Sequence, residues 1–274
     1  MSHRRMDRLS ALVGRFGIKA EIVSCEAEPD WDPVRSPNLF AAGKGLPVEL
    51  AAALPGDGRR IAYFPKGTPE PVLSALRLHA GPDLMMARVD IGGGVNPMAE
   101  ALPVAIGIAG RDSESIAEVL ALILDEHERP RCGGLPLLGR MVEVLVIRLL
   151  RQEIARGAAE VGILGGLAHA GLAAAMVAMH EEPQREWVLE DLAALAGMSR
   201  THFVNSFRSV VGVTPIAYLA SWRLTIARVE INRGVPVKTV AWRVGYGSAA
   251  ALSRAYSRHF GSPPRENRHF AAAE

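Results

Sequence analysis

Between Gly197 and Pro215 a serine, Ser199, is followed four and eight positions later by Phe203 and Phe207, with arginines set between them. At helical spacing Phe203, Phe207 and Val210 or Val211 point one way, while Arg200, Thr201, Val204, Asn205 and Arg208 point the other. Ser199 suits an N-cap, its hydroxyl able to accept from an amide of the first turn. An outer face that carries guanidinium, hydroxyl and carboxamide groups can address both base edges and phosphate oxygens. The chemistry implied is recognition, not bond making.

Such a face needs elements that hold it. "VLEDLAALAG" places Leu189, Leu192, Ala193 and Ala196 on one side of a short helix, with Gly197 as its C′ residue. A short helix, a three-residue turn and a second helix with a polar outer face make the helix-turn-helix plan, whose second helix lies in the DNA major groove. A looser copy follows, in which Val237, Val240, Ala241 and Val244 form the buried face, "GYGS" is a turn one residue longer, and Ser248 caps a helix carrying Leu252 and Tyr256. Ser199 to Gly212 and Ser248 to Gly261 are both thirteen apart, and each glycine precedes a proline. One structural unit is used twice. Between the copies, Thr214 at N-cap, Pro215 at N1 and Gly234 as the stop bound a long helix with Ile216, Leu219, Ala220, Leu224, Ala227 and Ile231 expected in its buried face.

These motifs in this order resemble the DNA-binding domain of the AraC/XylS family of bacterial transcription regulators, over roughly the final 105 residues. Carried over position by position, the resemblance implies that Thr201, Val204 and Asn205 face base edges, with Asn205 able to pair with adenine, and that Arg200 and Arg208 meet phosphate. In the second copy Ala250 and Ser253 take the base-facing places, Arg254 pairs locally or touches the DNA backbone, and Arg258 reaches phosphate. The second copy departs from the family pattern: Leu252 stands where an aromatic is usual, and the outer face begins with Ala249, Ala250 and Ala251. Alanine can meet a thymine methyl but donates no hydrogen bond, so this helix is expected to give less base readout and more phosphate anchoring. His202 shares the first recognition helix, as a flank contact or as an exposed residue.

Residues from about Met6 to Gly157 resemble the cupin-like sensory domain fused to one branch of that family. "PGDGRRIAYFPKGTP" and the helix "GRMVEVLVIRLLRQEI" carry this likeness. The runs "AEIVSC", "RIAYF", "VLSALRLH" and "LMMARVDI", separated by turn signals, read as short strands of a barrel or sandwich. From Pro97 on the period lengthens, and Glu114 to Glu128 and Leu135 to Gly157 read as amphipathic helices, the second a core or dimer helix. Glu70 stands where this branch often has histidine, and no His-x-His occurs, so no metal, cofactor or catalytic residue is expected. His79 reads as a structural or surface histidine ending a strand. Cys25 and Cys132 read as two ordinary thiols in preference to a redox pair, and Arg4 to Arg8 as terminal charge.

The bulk numbers agree. A chain of 274 residues suggests two domains, and 49% hydrophobic with 22% charged residues fits a folded protein. The net charge of +2 hides an asymmetry: residues from Gly166 on carry a surplus of four positive charges, and those before it a deficit of two. Two cysteines, no signal-peptide pattern and no apolar run of spanning length read as a cytoplasmic protein with no membrane partner. The expected fold is α+β in two domains: a cupin-like β-barrel with flanking helices over 1–157, a linker at 158–166, and an all-α domain with two helix-turn-helix units joined by a long helix over 167–274. The resemblance implies double-stranded DNA, a small-molecule effector, RNA polymerase and a second copy of the chain as partners. A constitutive DNA binder with a purely dimerising N-terminal half, and a cupin enzyme, stay open as alternatives.

Overall fold

The computed structural model describes residues 9–23, 36–54, 60–79, 83–92, 99, 101–108, 114–156 and 161–264. The chain divides into two units: Gly17–Gly94 with Leu102–Glu153, and Met1–Phe16 with Val95–Ala101 and Ile154–Glu274. Cys25 and Arg4 to Arg8 lie outside the described residues.

In the first unit, β1 (Lys19–Val23), β2 (Leu39–Ala42), β3 (Ile61–Tyr63), β4 (Leu84–Asp90) and β5 (Ile106–Ile108) form one antiparallel sheet in the order β1-β4-β2-β3-β5. Among the described residues β1 and β5 are its two edges. The register pairs Phe40 with Ala62 and with Met86, so alternate residues stack on one face. There Phe40, Ala62, Phe64, Leu84 and Met86 form a core with Leu50 of α2 (Val48–Ala52) and Leu73 and Leu76 of α3 (Glu70–His79). β2 and β3 are buried throughout, so their other face is covered too; α4 (Glu114–Glu128) lies against β2. α5 (Gly134–Ala155) crosses β1 so closely that a Cβ on Gly139 would sit 3.0 Å from the Ala20 carbonyl oxygen.

The segment "VLSALRLH" is a helix, not a strand. Val72, Leu73 and Leu76 are buried at helical spacing, and Arg77 pairs with Glu70 at 3.2 Å. Leucine, alanine and arginine favour the helix, and a short apolar run cannot be assigned by pattern alone. His79 therefore ends a helix. The buried Tyr63 hydroxyl is pushed well above its ordinary pKa by desolvation, with Asp90 adding to the shift.

The second unit is helical. α1 (Ser10–Phe16) is followed by α6 (Ile163–Ala168), α7 (Leu172–Glu181), α8 (Leu189–Leu195), α9 (Arg200–Val211), α10 (Pro215–Asn232), α11 (Val237–Arg243) and α12 (Ala249–Phe260). α6 occupies the second half of the stretch expected to be a linker, and buries Ile163, Leu164 and Leu167. α1 belongs to this unit and not to the sheet: Leu9, Leu12 and Phe16 are buried, and the Phe16 ring meets Trp222 of α10 edge-on at 5.4 Å. No single described helix is long and apolar enough to cross a membrane.

Candidate nucleic-acid interface

α9 and α12 are each bounded by the residues the sequence singles out. Ser199 accepts a hydrogen bond from the His202 amide at 3.3 Å, and Ser248 accepts one from the Ala251 amide at 3.1 Å. Both helices run twelve residues and stop at left-handed glycines, Gly212 (φ 87°) and Gly261 (φ 75°). The scaffold helices match as well. After α8 the Met198 amide bonds the Ala193 carbonyl at 3.0 Å; after α11 the Tyr246 amide bonds the Ala241 carbonyl at 2.8 Å. Gly197 and Gly245 supply the positive φ that this C-cap requires.

Burial separates the faces. Phe203, Phe207 and Val211 of α9, and Leu252 and Tyr256 of α12, are inside. Thr201, Asn205, Arg200 and Arg208 are exposed and Val204 is half-buried; on α12, Ala250, Arg254 and Arg258 are exposed and Ser253 is half-buried. Every predicted site residue thus lies on an outer face. Arg200 is not free, because its guanidinium meets Glu190 of α8 at 3.3 Å. Among the described residues Arg208, Arg254 and Arg258 make no ion pair.

α10 is the common support. Phe207 packs on Tyr218 at 5.6 Å, and the Tyr218 hydroxyl shares a hydrogen bond of 2.6 Å with Nε2 of His180, which lies 4.2 Å from the Trp222 ring. Burial pushes the Tyr218 hydroxyl well above its ordinary pKa. Farther along, Arg228 lies over the Phe260 ring at 4.9 Å and Arg243 pairs with Glu230 at 3.3 Å. Ile216 and Ala220, expected in the buried face, are exposed, Ile216 by 45%. Tyr218, Trp222, Thr225 and Ile226 are buried in addition to Leu219, Leu224, Ala227 and Ile231. The helix packs on both flanks, so a single stripe misstates its contacts.

Sequence reasoning passed over His180, Glu190 and Arg223. Arg223 donates from Nε to the Pro183 carbonyl at 2.6 Å and from Nη2 to the Arg185 carbonyl at 2.8 Å. Burial draws its pKa below the ordinary value, against the opposing effect of Tyr246 and Glu186. The available signal was an arginine flanked by Trp222 and Leu224 in a helix expected to be largely buried, where its donors must find acceptors.

Two capped helix-turn-helix pairs on one long helix, preceded in the chain by a sheet-and-helix unit, define a two-domain protein of the helix-turn-helix class. Residues 192–269 match the family model of a helix-turn-helix domain, and residues 46–155 match that of a cupin. The chain thus pairs a cupin domain with a helix-turn-helix domain, and its curated relatives include proteins named AraC-like transcription regulators. It is 32% identical over 178 residues to the HTH-type transcriptional regulator AlkR of Acinetobacter baylyi, covering 63% of this chain and 58% of AlkR. It is 34% identical over 154 residues to the RCS-specific HTH-type transcriptional activator RclR of Escherichia coli, covering 56% of this chain and 54% of RclR. Across the curated relatives it matches, the chain spans between 33% and 58% of their length. Among solved structures, the DNA-binding domain of AdpA in complex with a target DNA is similar over 38% of this chain and 93% of that one, at 31% identity and a TM-score of 0.35.

Proposed function

We propose that this chain is a sequence-specific DNA-binding transcription regulator, with α9 and α12 entering successive major grooves on one face of the duplex. The observation that carries this reading is the repeated frame: two Ser-capped, Gly-stopped helices with polar outer faces, joined by one helix of eighteen residues. At about 1.5 Å per residue that helix is about 27 Å long, of the same order as the ~34 Å groove repeat. Thr201, Val204 and Asn205 read base edges, and Arg208 meets phosphate. Arg200 joins it when the nearby phosphate displaces Glu190. Ala250 and Ser253 contribute weaker readout, and Arg254 and Arg258 anchor the backbone.

The cupin domain binds an effector that favours one arrangement of the chain, and so biases DNA binding. We place the domain boundary within 158–166, with α1 completing the helical domain. Homodimerisation through the cupin domain fits the solvent exposure of Leu137 and Val144 on α5 and Leu122 on α4. A contact with RNA polymerase is the remaining part of the reading, and the family resemblance alone motivates it.

The test is fluorescence anisotropy of the full-length protein on duplex from its own upstream region and on a shuffled duplex, across a salt series, with Asn205→Ala alongside. Tighter binding of the native duplex, with the gap narrowed by Asn205→Ala at nearly constant salt slope, supports sequence reading by α9. Equal affinity for native, shuffled and all other genomic duplexes overturns it.

A further inference from the structure

Arg223 stands near the middle of α10, next to the fully buried Trp222. Its guanidinium turns out of the core to the two carbonyls of Pro183 and Arg185, which belong to the turn that leads into α8 and the first helix-turn-helix. The second copy reaches the same place from the other side. A Cβ built on Gly245 would lie 2.9 Å from the Gln184 Cα, 2.9 Å from the Gln184 carbonyl oxygen and 3.0 Å from Arg223 Cζ. Gly197, the matching glycine of the first copy, has the same kind of cap and nothing within 4 Å of its built Cβ. The turn of the second copy is therefore seated against the leading turn of the first, with Arg223 touching both.

A planar fork of five fixed donors holds two carbonyls at a set separation in a way a flexible single donor does not. Arg223 is half-buried and Pro183 buried, so losing the bond between them is costly, while the bond to the exposed Arg185 carbonyl adds direction to the clamp. We propose that Arg223 is a positioning residue: it sets the separation and rotational phase of α9 and α12, and through them the spacing between two half-sites on DNA. Without the clamp the two copies stay joined by α10 but can rock about it. Each base pair inserted between half-sites turns the second groove by about 35°, so a fixed pair of helices rejects wrong spacings and a rocking pair tolerates them. This inference rests on the DNA-binding reading above.

The experiment uses full-length wild type, Arg223→Met and Arg223→Lys. A duplex enriched by the wild type from a random 30-base-pair library serves as probe, with derivatives carrying zero to four inserted base pairs and one carrying the first half-site alone. For wild type, two inserted base pairs are expected to weaken binding by at least about tenfold, as for one or two mismatched positions. Arg223→Met is expected to reduce that penalty to less than about threefold, with Arg223→Lys between the two and the single half-site bound alike by all three. An unchanged spacing penalty in both variants overturns the proposal. So does a variant that loses affinity for the single half-site as much as for the full duplex, since that marks a general structural role. If the wild type enriches no duplex, the DNA-binding reading itself fails and the positioning role falls with it.

Discussion

The two copies of the helix-turn-helix differ least where they fold and most where they would meet a ligand. In α9 and α12 the serine cap, the buried residues four and eight positions on, and the left-handed glycine at thirteen recur. The outer faces diverge, with Thr201, Val204 and Asn205 in one and Ala250 and Ser253 in the other. A buried position is constrained by its neighbours on every side, whereas an outer position answers only to solvent and to whatever it binds. The surroundings differ as well: α1 packs on α7 and meets Trp222 through Phe16, while Gly245, and not Gly197, is pressed against the other copy. The same frame is thus held by different supports.

The largest expected effects test the shared frame. Phe207→Ala removes a ring that packs on Phe203 and Tyr218, and is expected to cost about 3–5 kcal/mol of stability in urea unfolding of the full chain. Phe16→Ala tests how α1 is held on α10 through Trp222; a loss of about 3 kcal/mol is expected, and a change near zero would return α1 to the sheet unit. Next comes the divergence of the faces. Asn205→Ala is expected to weaken binding to the selected duplex by about 1–3 kcal/mol with the salt slope unchanged. Arg254→Ala, by contrast, should weaken every duplex alike and lower the salt slope by about one. Equal specificity losses for Asn205→Ala and Ser253→Ala would erase the asymmetry. Ser199→Ala and Ser248→Ala are each expected to cost about 1 kcal/mol, and a large inequality would show that the two caps are not equivalent. Smallest is Ser253→Ala, at about 0.5 kcal/mol of binding, read from the same anisotropy titrations.

Much of the helical domain was legible because its signals are local and agree with one another. A capping serine, apolar residues at three-and-four spacing, a glycine and then a proline each constrain only their own neighbourhood. The outer faces of α9 and α12 followed directly, since a residue opposite a buried phenylalanine must point outward. α3 was not legible: "VLSALRLH" is too short for its period to separate helix from strand, and burial beneath the sheet settled the matter. A single apolar stripe puts Ile216 and Ala220 inside, but α10 packs on two flanks and leaves both exposed.

By itself the sequence determined where the helices of the repeated unit begin and end and which residues each turns away from its core, because hydrogen bonds and sterics within a few residues decide those questions. Tertiary structure alone decided that the first helix joins the helical unit through Phe16 and Trp222, and that Arg223 reaches back forty residues to the Pro183 carbonyl. Contacts so distant along the chain leave no periodic trace in it, and depend on the shape that all the elements make when packed together.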